Sequence, residues 1–289
     1  MANEAGPQRL DKRQARRQFE KAAQGYDDIA VLQHEIGRRM CERLGYMRAD
    51  PARILDLGCG TGKSTAVLLR QFPKAQLLAM DFALPMLEQA RRRGRWLRRP
   101  RCLCGDIDGL PLADGSIDLV FANAALQWSA DPQAALNDIA RVLRPGGLVI
   151  FSSFGPDTLH ELRAAWADVD RAVRVHGFID MHDYGDMLVR AGLADPVMDV
   201  ERMTLTYQDP MTLMREIKAI GATNALPQRA RGLLGRRRLA AVCAAYEKYR
   251  RADGTLPASY EVVHGHAWAP LQRRVDGETR IAIDALKRR

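Results

Sequence analysis

The chain has 289 residues, 47% hydrophobic and 27% charged, a composition that supports one large domain or a core with an insertion. The first twenty residues are polar and no apolar run reaches membrane length, so we expect a cytoplasmic protein without a signal peptide or a membrane span. A net charge of +9 predicts an acidic partner. The five cysteines are scattered and odd in number, which favours a reducing compartment.

Helical and strand patterns follow one another along the chain. Residues 11–44 have the apolar spacing of a helix, with a break near Gly25, Tyr26 and Asp27. Strands then alternate with helices, which predicts an α/β fold with a mostly parallel sheet and helices on both faces. The predicted strands are 53–57, 76–81, a third before Gly105, 117–122, 148–154, 197–207 and 260–263, and the predicted helices are 64–72, 85–93, 132–143, 157–168, 184–191, 210–220 and 238–251.

The stretch 56–65, DLGCGTGKST, is a glycine-rich turn between a predicted strand and a predicted helix. It fits neither phosphate-binding pattern, because the P-loop requires glycine where Leu57 stands and the dinucleotide fingerprint requires glycine where Lys63 stands. A carboxylate at Asp56 would oppose a pyrophosphate but suit a ligand with an ammonium group. The D-x-G-x-G-x-G spacing resembles the first motif of the class I S-adenosylmethionine (SAM) methyltransferases and is formed by Asp56, Gly58, Gly60 and Gly62.

Further positions extend this resemblance to a SAM site. Asp81 closes the second strand, where an acidic side chain can accept hydrogen bonds from both ribose hydroxyls. In the SAM enzymes the position of Asp106 and Ile107 corresponds to the adenine site, and the alternative for Asp106 is a turn-forming aspartate. Asn123 ends the fourth strand and is expected to point into the ligand crevice.

The downstream half carries more specific motifs. Residues 177–184, 226–236, 254–257 and 261–268 stand in succession and accompany Leu126-Gln-Trp128 and residues 19–27. Together they resemble the malonyl-acyl-carrier-protein O-methyltransferases of biotin synthesis. The resemblance implies a Rossmann-like class I methyltransferase fold with a helical insertion before the last strand. Its expected parts are an N-terminal helical segment over the cofactor site (1–50), a SAM-binding core (51–207), a helical insertion or lid (208–256), the last core strand (257–270) and a charged tail (271–289).

The resemblance also implies a reaction, the transfer of a methyl group from SAM to the free carboxyl of malonyl-acyl-carrier protein. The methyl ester would prime pimeloyl formation. A carboxylate is ionised at neutral pH, so neither a general base nor a metal is expected. The candidate clamps for this carboxylate are Arg229, Arg231 and Arg236 of the insertion, with solvated loop arginines as the alternative. Tyr26 is expected to cover the cofactor, and the alternative is a core tyrosine.

Several features leave alternatives open. The basic runs 91–101 and 236–238 could dock the acidic acyl carrier protein or be solvated faces, and neither a membrane nor a nucleic acid is an expected partner. Cys102 and Cys104 are expected to be buried thiols, and His264 and His266 lack a third ligand nearby, so neither pair predicts a metal site. The rival functions are a SAM methyltransferase acting on another small molecule or RNA, and a non-catalytic SAM-binding regulator.

Overall fold

A seven-stranded sheet forms the centre of the molecule. The computed structural model describes residues 10–94, 98–170, 177–222 and 235–271. The strands lie in the order β3-β2-β1-β4-β5-β7-β6, with β1 to β5 parallel and β7 antiparallel to both β5 and β6. This sheet confirms the predicted Rossmann-like, mostly parallel fold. The strands are β1 Arg53–Leu57, β2 Gln76–Asp81, β3 Arg101–Cys104, β4 Ile117–Ala122, β5 Leu143–Phe154, β6 Ala194–Tyr207 and β7 Leu256–Trp268.

Helices cover both faces of the sheet. Every residue of β4 is buried, as expected for a parallel strand packed on two sides. On one face Ile36 and Leu68 contribute to a core that includes Phe121, and on the other Leu136 and Leu188 share a core with Val120 and Phe151. The helices are α1 Lys12–Ala22, α2 Tyr26–Ile29, α3 Val31–Gly45, α4 Lys63–Gln71, α5 Leu84–Ala90, α6 Pro132–Val142, α7 His160–Ala167, α8 Met181–Arg190, α9 Pro210–Ala219 and α10 Arg236–Tyr246.

The N-terminal segment is broken where the sequence predicted a break. A 3-10 turn, Ala23–Gly25, separates α1 from α2, and a second interruption at Ala30 separates α2 from α3. Asp11 caps α1 by accepting a hydrogen bond from the backbone N–H of Gln14 at 3.1 Å. The interruptions let the segment bend across the sheet end instead of running as one rod.

Helices α9 and α10 lie between β6 and β7 in the chain, where the insertion was predicted. The predicted last strand, 260–263, was too short, because β7 runs from Leu256 to Trp268 and is hydrogen-bonded on both sides. None of the helices in the described ranges combines the length and apolar character that a bilayer crossing requires.

The cysteines are all free thiols. The prediction that Cys102 and Cys104 are buried was wrong, because Cys102 is half-buried and Cys104 is exposed. The physical reason is topological: both residues lie on β3, the edge strand of the sheet, which has a neighbouring strand on one side only.

Candidate active site

The glycine-rich turn between β1 and α4 has left-handed backbone at each of its glycines. The φ angles of Gly58, Gly60 and Gly62 are 70°, 53° and 80°. The backbone N–H groups of Gly58 and Cys59 both donate to the carbonyl of Met80, at 2.8 and 3.0 Å, which fixes the turn against the end of β2. A Cβ atom added to Gly60 would meet nothing within 4 Å, so the turn presents bare backbone to open space.

Asp81 stands opposite that turn at the end of β2. One carboxylate oxygen accepts the N–H of Gly60 at 2.9 Å, and the other accepts the N–H of Ala83 at 2.8 Å. The residue is only 7% exposed, and its burial raises the pKa of the carboxyl to about 6 although both hydrogen bonds favour the anion. The spare lone pairs of a buried carboxylate are strong acceptors for the hydroxyl groups of a ligand.

Asp56 lies beneath the turn. Its side chain is buried and accepts a hydrogen bond from the Thr65 hydroxyl at 2.5 Å. Burial, together with the negative charge of Asp81, raises the pKa of the Asp56 carboxyl to about 7. The sequence suggested a carboxylate close to the ligand, whereas this geometry makes Asp56 a support that joins the end of β1 to the first turn of α4.

Asp106 and Ile107 follow β3. Ile107 is buried, while the Asp106 carboxylate is partly exposed and forms an ion pair with Lys12 of α1 at 2.6 Å. The same ammonium group donates to the carbonyl of Trp128 at 3.0 Å and lies 3.0 Å from Asp108. Lys12 therefore ties the start of the N-terminal segment to the two loops that follow β3 and β4.

A second tie holds the other end of this segment. The Asp27 carboxylate accepts hydrogen bonds from the Thr61 hydroxyl, at 2.5 Å, and from Arg93, which also donates to the Thr61 carbonyl at 2.9 Å. Burial alone would raise the pKa of Asp27, but these hydrogen bonds outweigh it and the pKa is lowered. Arg93 is thus a structural partner, unlike its exposed neighbours Arg91 and Arg92, which fit the solvated-face interpretation.

Asn123 joins three elements at the end of β4. Its amide nitrogen donates to the carbonyl of Gln33 in α3, and its oxygen accepts from the Ser152 hydroxyl in β5, both at 2.9 Å. Ser152 also accepts the N–H of Ala124 at 2.9 Å, and Ala124 has a φ of 48°, an unusual value for a residue with a side chain. Asn123 therefore shapes the turn after β4 through hydrogen bonds on both sides.

These elements surround a crevice of about 750 Å³, part of it open to solvent. Tyr26 and Asp81 are the titratable side chains of the described lining, and burial, with the charge of Asp81 next, holds the pKa of Tyr26 well above its ordinary value. The lining is otherwise mostly apolar or amide-bearing and includes Phe19, Gln33, Gly60, Phe82, Met86, Gln127, Trp128, Phe154, Phe178 and Ile220.

The arginine candidates are not brought to the crevice by any described contact. Arg229 and Arg231 lie outside the described residues, and Arg236 is exposed at the start of α10. The sequence analysis missed Phe82 and Phe154 as lining residues. The signal that could have found them is their position, directly after β2 and at the end of β5, because carboxyl ends of parallel strands border the ligand crevice.

The two histidines of β7 lie elsewhere. His264 is 4% exposed and borders a separate surface depression with His266 and Arg43, and burial lowers the pKa of His264 to about 4. Among the described residues, no group of three or more His, Cys, Asp or Glu side chains is arranged to hold a metal ion.

The fold and the site together define a class I SAM-dependent methyltransferase. A methyltransferase domain family matches residues 55–151, from β1 to β5. A solved structure from Bacillus halodurans superposes with a TM-score of 0.57 at 15% identity, over 80% of this chain and 98% of that one. A SAM-dependent methyltransferase from Thermotoga maritima superposes with a TM-score of 0.51 at 16% identity, over 88% and 99% of the two chains. At these identities the likeness concerns the fold alone.

Curated relatives are much closer in sequence. The malonyl-[acyl-carrier protein] O-methyltransferase of Halorhodospira halophila is 50% identical over 292 residues, covering 99% of both chains. The protein of the same name from Laribacter hongkongensis is 50% identical over 271 residues, covering 91% of both. The chain therefore belongs to the malonyl-[acyl-carrier protein] O-methyltransferase family.

Proposed function

We propose that the chain transfers the methyl group of SAM to the free carboxyl group of malonyl-[acyl-carrier protein], forming the methyl ester that primes pimeloyl synthesis in biotin biosynthesis. The observation that carries this proposal is the identity of 50% to a malonyl-[acyl-carrier protein] O-methyltransferase along 99% of both chains. A cytoplasmic location accords with the five free thiols.

The binding of SAM in the crevice is part of this proposal. Of the positions that the sequence suggested, Tyr26, Gly60 and Asp81 line the crevice, and the Gly60 N–H donates to the Asp81 carboxylate at 2.9 Å. SAM supplies a methyl group on a positively charged sulfur. We assign its binding to Tyr26, Asp56, Gly58, Gly60, Gly62, Asp81, Asp106, Ile107 and Asn123, with Asp56 and Asn123 acting through the backbone that they support.

The chemistry needs little from the protein beyond alignment and dryness. A malonyl carboxylate is ionised at neutral pH and needs no general base. The titratable side chains of the described lining are Tyr26 and Asp81, and this mechanism asks neither of them to remove a proton. Attack of a carboxylate on a sulfonium neutralises both charges. An apolar crevice lined by Phe19, Trp128 and Phe154 therefore favours the transition state, in which the charges are partly neutralised, over the two charged reactants.

The parts of the chain divide this work in our proposal. The segment 1–50 covers the SAM site, because Phe19 and Tyr26 line the crevice from above the core (51–207). The insertion (208–256) forms a lid on the substrate side, since Ile220 and Ala222 line the crevice from the end of α9. Residues 257–270 complete the sheet through β7, and no role is assigned to the tail 271–289.

The acidic carrier protein would dock on the outer face of α1 in this proposal. Arg13, Arg17 and Lys21 recur every four residues, so they form one stripe along the helix, and all three are exposed. Within the described residues none of the three has an acidic partner, whereas Arg16 is paired with Glu20 at 2.9 Å. The stripe lies on the helix that contributes Phe19 to the crevice lining, so a partner bound there would stand close to the crevice.

Docking can be tested by charge reversal. Changing Arg13, Arg17 and Lys21 together to Glu should raise the KM for malonyl-carrier protein at least about tenfold and leave the KM for malonyl-CoA within about twofold. Changing Arg48, Arg70 and Lys74 together to Glu is the matched control, because these three residues are exposed toward the opposite end of the parallel strands and give the same change of charge. Equal changes with both substrates would rule out the α1 stripe as the docking surface.

The function itself is tested with labelled SAM and a panel of acceptors. Malonyl-carrier protein should be methylated, acetyl-carrier protein should not, and succinyl-carrier protein should react poorly because its carboxylate lies beyond the in-line position. Methylation of RNA or of acetyl-carrier protein would instead favour a methyltransferase with another acceptor. SAM binding without turnover on any acceptor would favour a non-catalytic regulator.

A further inference from the structure

The turn after β4 presents one amide side chain to the crevice in a fixed orientation. Gln127 lies in the 3-10 turn Leu126–Trp128 and lines the crevice. Its Nε2 donates to the carbonyl of Ala124 at 2.8 Å, and its Oε1 accepts from the Ser153 hydroxyl at 3.4 Å. An amide nitrogen carries two N–H groups, and within the described part of the chain the second one meets no acceptor.

The hydroxyl group next to this amide contacts a buried tyrosine in turn. The hydroxyl of Tyr184 lies 2.9 Å from that of Ser153, and both residues are at most 1% exposed. Either hydroxyl of this pair can be the donor, so the orientation of the amide follows from the contact of Nε2 with the Ala124 carbonyl at 2.8 Å, where an amide oxygen would meet a second acceptor. The amide oxygen is then the atom that lies near Ser153, and the second N–H belongs to a side chain that lines the crevice.

The backbone that carries Gln127 is also held in an uncommon state. Ala124 has a φ of 48°, and the adjacent β5 residues Ser152 and Ser153 hold the turn from opposite faces of the strand, one through Ala124 and the other through Gln127. A positive φ at a residue with a side chain is costly and persists where the surroundings impose it, typically at functional sites. The turn is therefore built to place the Gln127 amide.

We propose that Gln127 is the substrate-orienting residue of the reaction and that its free Nε2–H receives the methyl-accepting carboxyl group of the substrate. This inference rests on the proposed function. A neutral amide suits the reaction, because the nucleophile loses its negative charge as the methyl group moves. A guanidinium ion pair would stabilise the starting carboxylate more than the transition state and so raise the activation barrier. A neutral donor orients the carboxylate and raises the barrier less.

The decisive variant is Gln127→Glu, which keeps the size of the side chain. Near neutral pH its ionised carboxylate cannot donate and repels the substrate carboxylate, so kcat/KM should fall by about 10- to 150-fold, the range for losing a hydrogen bond to a charged group. The affinity for SAM, measured by calorimetry, should stay within about twofold. Gln76→Glu, at an exposed position at the start of β2, is the control and should behave as the parent protein.

Acid should rescue this variant. At saturating SAM, each unit of pH below about 7.5 raises the protonated fraction of the introduced carboxyl about tenfold, and the protonated form can donate again. With an ordinary glutamic acid pKa of about 4.3, about 6% of the carboxyl is protonated at about pH 5.5, so a variant that has lost about 150-fold should regain about tenfold in kcat/KM relative to the parent, and a variant that has lost less should regain less. Protonation would also restore a donor to the Ala124 carbonyl, so the free energy of unfolding is measured at each pH, and a recovery of activity that only follows a recovery of stability would reflect the turn and not the substrate. Gln127→Leu should lose activity to a similar extent and show no rescue at all.

The outcomes separate this inference from the proposed function. If the parent protein methylates malonyl-carrier protein and Gln127→Glu is as active, or is impaired equally at every pH, Gln127 does not orient the substrate. If the parent protein fails to methylate malonyl-carrier protein, the proposed function itself is wrong. Weakened SAM binding in Gln127→Glu would place the residue in the cofactor site and overturn the inference.

Discussion

The titration of Asp81 makes a quantitative prediction about SAM binding. The carboxylate is the proposed acceptor for the ribose hydroxyls, and only its ionised form offers a charged acceptor on both oxygens. Burial raises its pKa to about 6 in the free protein, and hydrogen bonds from a ligand would stabilise the anion and lower that pKa again. SAM therefore binds the ionised form, and binding below pH 6 must release a proton.

The sign and the size of the effect follow from linkage. The affinity for SAM should be constant above about pH 7 and should fall as the pH drops through 6, approaching about tenfold per pH unit. Asp81→Asn should weaken binding by about 1.5–3 kcal/mol at neutral pH, which is about 10- to 150-fold in Kd, because charged acceptors are replaced by a neutral amide. The same variant should lose the dependence on pH.

Isothermal calorimetry between about pH 5 and about pH 8 measures both effects, and buffers of different ionisation enthalpy count the protons released. Asp56 is the control, since its pKa is raised to about 7 but its carboxylate is engaged by Thr65. Asp56→Asn keeps an oxygen for the Thr65 hydroxyl, and its affinity for SAM should still begin to fall near pH 6. A flat affinity in the parent protein, or the same fall of affinity in Asp81→Asn, would refute the assignment of Asp81.

Three further predictions concern the N-terminal segment that lines the crevice and the glycine-rich turn. Asp27→Ala should remove the tie to Thr61 and Arg93 and raise the dissociation rate of SAM several-fold in stopped-flow measurements, with a loss of stability of about 1 kcal/mol. Gly60→Ala should lower SAM affinity by filling the open space beside the turn, while costing only about 1 kcal/mol of stability in denaturant unfolding. Gly62→Ala should show the reverse pattern, a larger loss of stability, because its Cβ would lie 2.9 Å from the backbone of α5.

The sequence predicted the parallel half of the sheet well. Strands β1, β2 and β4 have the predicted bounds, because each is a short, mostly apolar stretch flanked by polar or turn-forming residues. Strand β5 begins at Leu143 and not at 148. The Arg144-Pro-Gly-Gly stretch, which the sequence presents as a turn, lies within the bounds of this strand. The length of strand β7 was underestimated, because the prediction stopped before Gly265. A glycine is needed there, since a Cβ atom would lie 2.4 Å from the ring of Phe151. That contact joins residues far apart in sequence and leaves no local pattern.

The same difference between local and distant contacts separates the two halves of the site. The cofactor half rests on short-range features, such as the positive φ of Gly60 and the position of Asp81 at a strand end, which the sequence encodes within a few residues. The aromatic half of the site is assembled from distant segments. The Phe19 ring packs edge-on against Trp128 at 5.0 Å and is tilted against Phe82 at 5.7 Å. Periodicity alone presents Phe19 as an ordinary core residue of an amphipathic helix.

Under the proposed function, this arrangement gives the family-specific motifs a role toward the acceptor. Phe19, Gln127 and Phe178 all lie in stretches that resemble the family, and all three line the crevice. They come from α1, from the turn after β4 and from the segment before α8, so in our proposal a change of acceptor can be accommodated there without disturbing the glycine-rich turn. We therefore propose that a core that binds the common methyl donor can be kept while these distant segments select the carboxylate that receives the methyl group.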